Sequence, residues 1–185
     1  MHSFSRRHFI TTAAALPLLA ACNNGINSGA SERIDGRVDA ALDFMNAEVP
    51  GAQELAAIAK GMLVMPLITE AGFGFGGSYG RGALRINGVT VDYYSATSGT
   101  FGLQIGAQQY AHTIFFMTDA ALQDFRASSG WAIGGDVRYA VSDRGGMLGV
   151  DSTTLTDPVI AVVYGQAGLI VGATLEGTRY TRILP

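Results

Sequence analysis

The chain has 185 residues, 48% of them apolar, and a formal charge of −3 with one lysine, Lys60. So few cations, without a basic cluster, exclude a nucleic-acid surface and argue against simple charge attraction to anionic headgroups. The apolar share and 25 glycines exclude a disordered chain and point to a turn-rich, core-forming domain.

The first residues carry Arg6-Arg7 ahead of an uncharged apolar run, 10–21. That run is far shorter than the roughly 20 residues a membrane-spanning helix needs, and Pro17 interrupts it. The layout predicts a secretory leader over 1–21. Ser5-Arg6-Arg7-His8-Phe9-Ile10 resembles the twin-arginine export signal, read as an address through Arg6, Arg7 and Phe9. An ordinary unfolded-export leader is the alternative. Leu19-Ala20-Ala21-Cys22 resembles a lipobox, in which Leu19, Ala20 and Ala21 precede the cut and Cys22 takes the lipid. The bland alternative is an accidental thiol beside a cleavage site. Cys22 is the sole cysteine, so no internal disulfide can form. Two or more acyl chains on it would anchor the protein firmly to a membrane. Asn23, rather than Asp, follows, which favours the outer membrane and a periplasm-facing domain in the cell envelope. Cleavage before Cys22 removes 21 residues and two arginines, leaving 164 residues and a charge of −5.

Residues 22–33 are polar and rich in Gly, Ser and Asn, which predicts a lipidated, flexible tether. The folded domain is expected over 34–185. Ile34, Val38, Ala41, Leu42, Met45 and Val49 recur at helical spacing, with Asp35, Asp39 and Asp43 between them. Pro50-Gly51 ends that helix, and a short second one is predicted over 52–59. Residues 62–68 read as a buried strand in which Pro66 demands an edge or a bulge. Glycine alternates with larger residues over 72–80. Asn87-Gly88 signals a hairpin between strands 83–86 and 89–94. Further strands are predicted at 100–108 and 111–117, then a helix capped by Asp119 and running to 127. Strands resume at 131–142, 159–164, 169–174 and 178–183, with a tight turn at 165–168. The expected class is α+β: N-terminal helices packed on a strongly curved, Gly-rich antiparallel sheet or half-closed barrel.

Gly61-Met62-Leu63-Val64-Met65-Pro66 and the run from Ala71 to Gly82 are similar to the opening of the SYLF domain. Gly102 to Gln108, Phe115-Phe116-Met117-Thr118, Ser129-Gly130-Trp131, Gly168-Leu169 and Leu175-Glu176-Gly177 continue the resemblance over about 35–183. The resemblance implies a non-enzymatic, lipid-binding domain without a cofactor. Eukaryotic members bind phosphoinositides, fungal ones associate with actin, and bacterial members are often secreted or lipoprotein forms. Membrane-binding eukaryotic members place a basic amphipathic helix before the core. Here the corresponding helix sets Asp35, Asp39, Asp43 and Glu48 against Arg37.

Other chemistry finds little support. Gly72-Phe73-Gly74-Phe75-Gly76-Gly77 satisfies GxGxxG, but a hairpin follows where a dinucleotide site requires a helix. His112 is the only histidine after the leader and reads as a surface or half-buried strand residue. No G-x-S-x-G elbow accompanies it, which leaves an uncharacterised hydrolase as the weakest reading. A metal site would need clustered Cys and His. Asp136, Asp143, Asp151 and Asp157 read as turn acids. Arg81 and Arg85 flank the glycine-rich strand and are candidates to hold a phosphate or carboxylate headgroup. A protein partner in the envelope, with the domain as scaffold, is the alternative to a lipid ligand.

Overall fold

The computed structural model describes residues 29–133, 138–141, 157–168, 175 and 177–185. The leader, the lipobox with Cys22, most of the tether and the expected strand at 169–174 lie outside these residues. Helix α1 spans Ala30–Glu48 and α2 Ala52–Ile58. The first begins four residues earlier than its apolar spacing predicts. Gly29, at φ 67, supplies the turn into it, and Ala30 is already buried. The last part of the expected tether is therefore helical.

Strands β1 (Gly61–Ile86) and β2 (Val89–Phe116) form one very long antiparallel hairpin. Asn87 and Gly88 both have positive φ, 52° and 78°, as a two-residue I′ turn requires. The pairing runs unbroken from Ile86↔Val89 to Gly61↔Phe116, apart from three register shifts. Sequence patterning divides this hairpin into several strands because glycine normally punctuates. Here the glycines pair with each other, as in Gly72↔Gly106 and Gly77↔Gly99, and let the ribbon bend without breaking its ladder.

The bend brings the two ends of β1 together. A Cβ placed on Gly80 would collide with the Leu67 carbonyl, and one on Gly82 with that of Val64. The remaining strands are β3 (Trp131–Ala132), β4 (Arg138–Val141), β5 (Val159–Gly168) and β6 (Arg179–Ile183). β1 covers one edge of β2; β6 pairs the first half of the other edge and β5 the second half. β3 extends β6 in antiparallel fashion, whereas β4 pairs β5 in parallel, a departure from an all-antiparallel sheet. The α+β class with helices on a strongly curved sheet is as expected. Among the described residues no helix is long and apolar enough to cross a membrane.

Period-two alternation sorts side chains into two layers. Leu63, Met65, Ile114, Phe116, Ala161 and Val163 join the layer enclosed by the curve, which Leu122 and Phe125 of α3 (Asp119–Ala127) complete. Val64, Phe115, Ile160 and Val162 point the other way, onto Ile34, Val38, Ala41 and Met45 of α1 and Leu55 of α2. Each large apolar side chain so buried contributes about 1.5–3 kcal/mol. Helix α3 is capped by Thr118, whose hydroxyl accepts from the Ala121 N–H, rather than by Asp119. Asp119 instead occupies the first turn, where a carboxylate favours the helix dipole.

The acidic side of α1 is clamped to the hairpin. Asp35 accepts hydrogen bonds from the Thr90 and Tyr93 hydroxyls, each at 2.7 Å, and Asp39 lies 2.6 Å from an Arg85 nitrogen. Burial and the Asp35 carboxylate push the Tyr93 phenol up to about 12. Asp35→Ala is expected to cost about 1–2 kcal/mol, because the Thr90 and Tyr93 hydroxyls lose their acceptor and Arg85 loses one of its two ion-pair partners. Urea unfolding measures it; a loss no greater than that of Asp43→Ala would refute the clamp.

Candidate functional site

Two bulges coincide at one point of the sheet. On β1, Pro66 and Leu67 together face the single residue Ala111, between the pairs Met65↔His112 and Ile68↔Tyr110. On the other side, Gly165 and Gln166 of β5 face Tyr110, between Gln109↔Ala167 and Ala111↔Tyr164. Proline cannot donate to the ladder, and Gly165 takes φ 63, so each bulge has a local cause. The predicted turn at 165–168 is thus a kink within β5. Bulges bend a strand and re-aim its side chains.

Above the double bulge lies a groove of about 580 Å³, lined by Arg37, Ala40, Ala41 and Phe44 of α1 and by Pro66, Leu67, Tyr110, Ala111, Tyr164 and Gly165. Its character is apolar. Phe44 and Leu67 remain 47% and 38% exposed, unusual for side chains so placed. The Phe44 ring stacks on Tyr164 at 6.3 Å. Thr113 and Tyr164 share a buried 3.0 Å hydrogen bond beneath the floor, and burial pushes the Tyr164 phenol up to about 12.

A second hollow of about 290 Å³ adjoins the first, sharing Arg37, Pro66 and Leu67. Its walls add Arg33, Thr69, Tyr79, Gly80 and Arg81. Arg33, Arg37, Ala41 and Phe44 recur at helical spacing, so one stripe of α1 runs from basic to apolar along the joined groove. The Arg81 Nε donates to the Tyr79 hydroxyl at 2.7 Å. Arg85, the other sequence candidate, lines neither hollow; Asp39 and Asp35 hold it at 2.6 and 3.6 Å.

Inside the curve runs a series of buried polar groups. Gln108 donates to Glu70 at 2.7 Å, and Ser78 and Ser98 share a 2.7 Å hydrogen bond. Burial first, and then Glu70, push the Tyr110 phenol up to about 12. His112 is fully buried, contrary to the surface or half-buried position expected for it. Even-numbered β2 residues face inward with Tyr110 and Ile114, and His112 follows that register. Its Nε2 lies 2.7 Å from the Tyr180 hydroxyl. Burial pulls its pKa down to about 3, so it is neutral. Among the described residues its Nδ1 has no hydrogen-bond partner.

Comparison with known families bears on these elements. Residues 97–182 match the family Ysc84, described as a Las17-binding protein actin regulator. This is the SYLF type, a family of binding domains rather than of enzymes. The match covers the later part of β2, with α3 and β3 to β6. It therefore includes the groove floor at Tyr110, Ala111, Tyr164 and Gly165, while Arg37, Phe44, Leu67 and Arg81 come from outside it. No curated protein matches the chain.

Arg81 is the one sequence-nominated ligand residue that lines the groove. Arg37, Phe44, Leu67 and Tyr164 were not legible as site residues. The signal that would have found Arg37 and Phe44 is their seven-residue spacing on one side of α1.

Proposed function

We propose that this protein is a membrane-tethered envelope lipoprotein whose folded domain binds lipid and catalyses no reaction. The observation that carries the lipid-binding half is the apolar groove with Phe44 and Leu67 partly exposed, on a domain that matches a binding family. Pockets of this size and character suit an acyl chain. The tethering half rests on Arg6-Arg7, Phe9 and the Leu19-Ala20-Ala21-Cys22 sequence, which support a periplasm-facing, lipid-anchored domain, and on Asn23, which favours the outer membrane. The covalent lipid supplies attachment, and the domain handles a separate lipid.

The test has two arms. Palmitate fed to cells should label the native protein but not a Cys22→Ser variant; equal labelling would remove the tether. The processed chain, residues 22–185 with Cys22→Ser, should co-sediment with liposomes; no binding to any headgroup would remove the lipid ligand. A scaffold for another envelope protein is the second reading, favoured by the exposed Val89 and Val91 beside the hairpin turn. One stoichiometric protein captured from membranes, together with null liposome data, would establish it instead.

A further inference from the structure

The joined groove has a polarity that lipid binding in general does not require. Its apolar section lies between Phe44, Leu67 and Tyr164, and its other end gathers Arg33, Arg37 and Arg81. That clustering stands out in a chain with an excess of acids. Three other described arginines are matched to carboxylates: Arg85 to Asp35 and Asp39, and Arg126 and Arg182 to Asp92. Among the described residues no carboxylate pairs with Arg37 or Arg81. Arg81 engages Tyr79, donating from Nε to its hydroxyl and lying 5.9 Å from its ring centroid. Guanidinium groups at the end of an apolar slot complement a phosphate at the end of an acyl chain.

We propose that the groove holds one anionic membrane phospholipid, with an acyl chain between Phe44, Leu67 and Tyr164 and its phosphate against Arg37 and Arg81. This rests on the lipid-binding reading above and adds the headgroup class, the site and the direction of the chain. The acidic clamp of α1 does not oppose it, because Asp35 and Asp39 are engaged by Arg85 and the hairpin hydroxyls. Tyr79, 48% exposed, stands beside the headgroup position, and its hydroxyl, which accepts from Arg81, keeps its own proton to donate to the glycerol.

The experiment is calorimetric titration of the processed Cys22→Ser chain with dihexanoyl phosphatidylglycerol and dihexanoyl phosphatidylcholine, both below their micellar concentrations, and with inorganic phosphate. The expected result is one phosphatidylglycerol per chain, bound at least tenfold more tightly than phosphatidylcholine, and no measurable binding of inorganic phosphate. The pair Arg37→Gln and Arg81→Gln should abolish the headgroup preference. Phe44→Asp or Leu67→Asp should weaken both lipids about tenfold or more. All these side chains border solvent, so an unchanged melting temperature confirms that each variant is folded. Equal affinity for both headgroups, or indifference to all four substitutions while liposome binding persists, would overturn the groove and leave the lipid reading intact. Phosphate bound as tightly as phosphatidylglycerol, or a chain dimer dispersed by Phe44→Asp, would also overturn it by naming another occupant. Absence of binding to soluble lipid and to every liposome would end both.

Discussion

Gly82→Ala is expected to destabilise the protein by about 3 kcal/mol or more, beyond the usual range for an added methyl. The reason is backbone against backbone. A Cβ at position 82 would overlap the carbonyl of Val64, and the nearest side-chain atom, the Met65 sulfur, is only 2.6 Å away. Neither Val64 nor Met65 has room to retreat, since both are fully buried. Gly99 is the matched control: it lies in the same hairpin, but a Cβ there meets nothing within 4 Å. Gly99→Ala should stay within about 0.5 kcal/mol of the parent protein. Urea midpoints of the two variants measure the difference. Similar losses would mean that glycine acts through strand flexibility and that closure of β1 on itself matters little.

The second large effect is a loss of stability on mild acidification. Burial holds His112 at about 3, below its ordinary 6.5, so the folded state keeps it neutral while the unfolded chain takes up a proton. The unfolded state then binds more protons, and stability falls as pH drops. The contribution is whole above 6.5 and declines between 6.5 and about 3. Between pH 7 and pH 5 the expected loss is about 2 kcal/mol from this one side chain. Carboxylates add their own dependence, so the measurement is a difference: urea unfolding of the parent and of His112→Gln at both pH values. Glutamine keeps a hydrogen-bonding group for Tyr180 and does not titrate. The variant should lack the extra loss. An identical pH dependence in the two proteins would show that His112 is not the group responsible.

Local chemistry made the outline of the fold legible. Ile34, Val38, Ala41 and Met45 announced α1 and its buried face, and Asn87-Gly88 fixed the hairpin and its register. Pro66 forecast a bulge that is present. The continuity of β1 and β2 was hidden, because Gly72, Gly77, Gly99 and Gly106 look like breaks when the pairing across the ribbon is not known. The burial of His112 was hidden for a related reason. A strand shows which residues share a face, but the fate of that face depends on curvature that only the assembled sheet defines.

The candidate site was legible in part. Arg81 stands out in the sequence beside the glycine-rich strand, and it lines the groove. Arg85 stands out on the same ground, yet a helix residue 46 positions earlier in the chain, Asp39, claims it. Phe44 and Leu67 gave no sign of a site because an apolar residue announces burial, and only the assembled groove shows these two partly uncovered.

The hairpin also bears on what counts as a unit in this protein. The family match begins at Thr97, within β2, and ends before the chain does. The segment it defines contains none of β1, yet β1 satisfies a whole edge of β2, from Val89 to Phe116. Cut out alone, residues 97–182 would present that edge bare, and unpaired strand edges recruit other chains. The stretch most recognisable by likeness is therefore not an autonomous module. Its independence depends on α1 and β1, the same elements that bring the arginines and Phe44 to the groove.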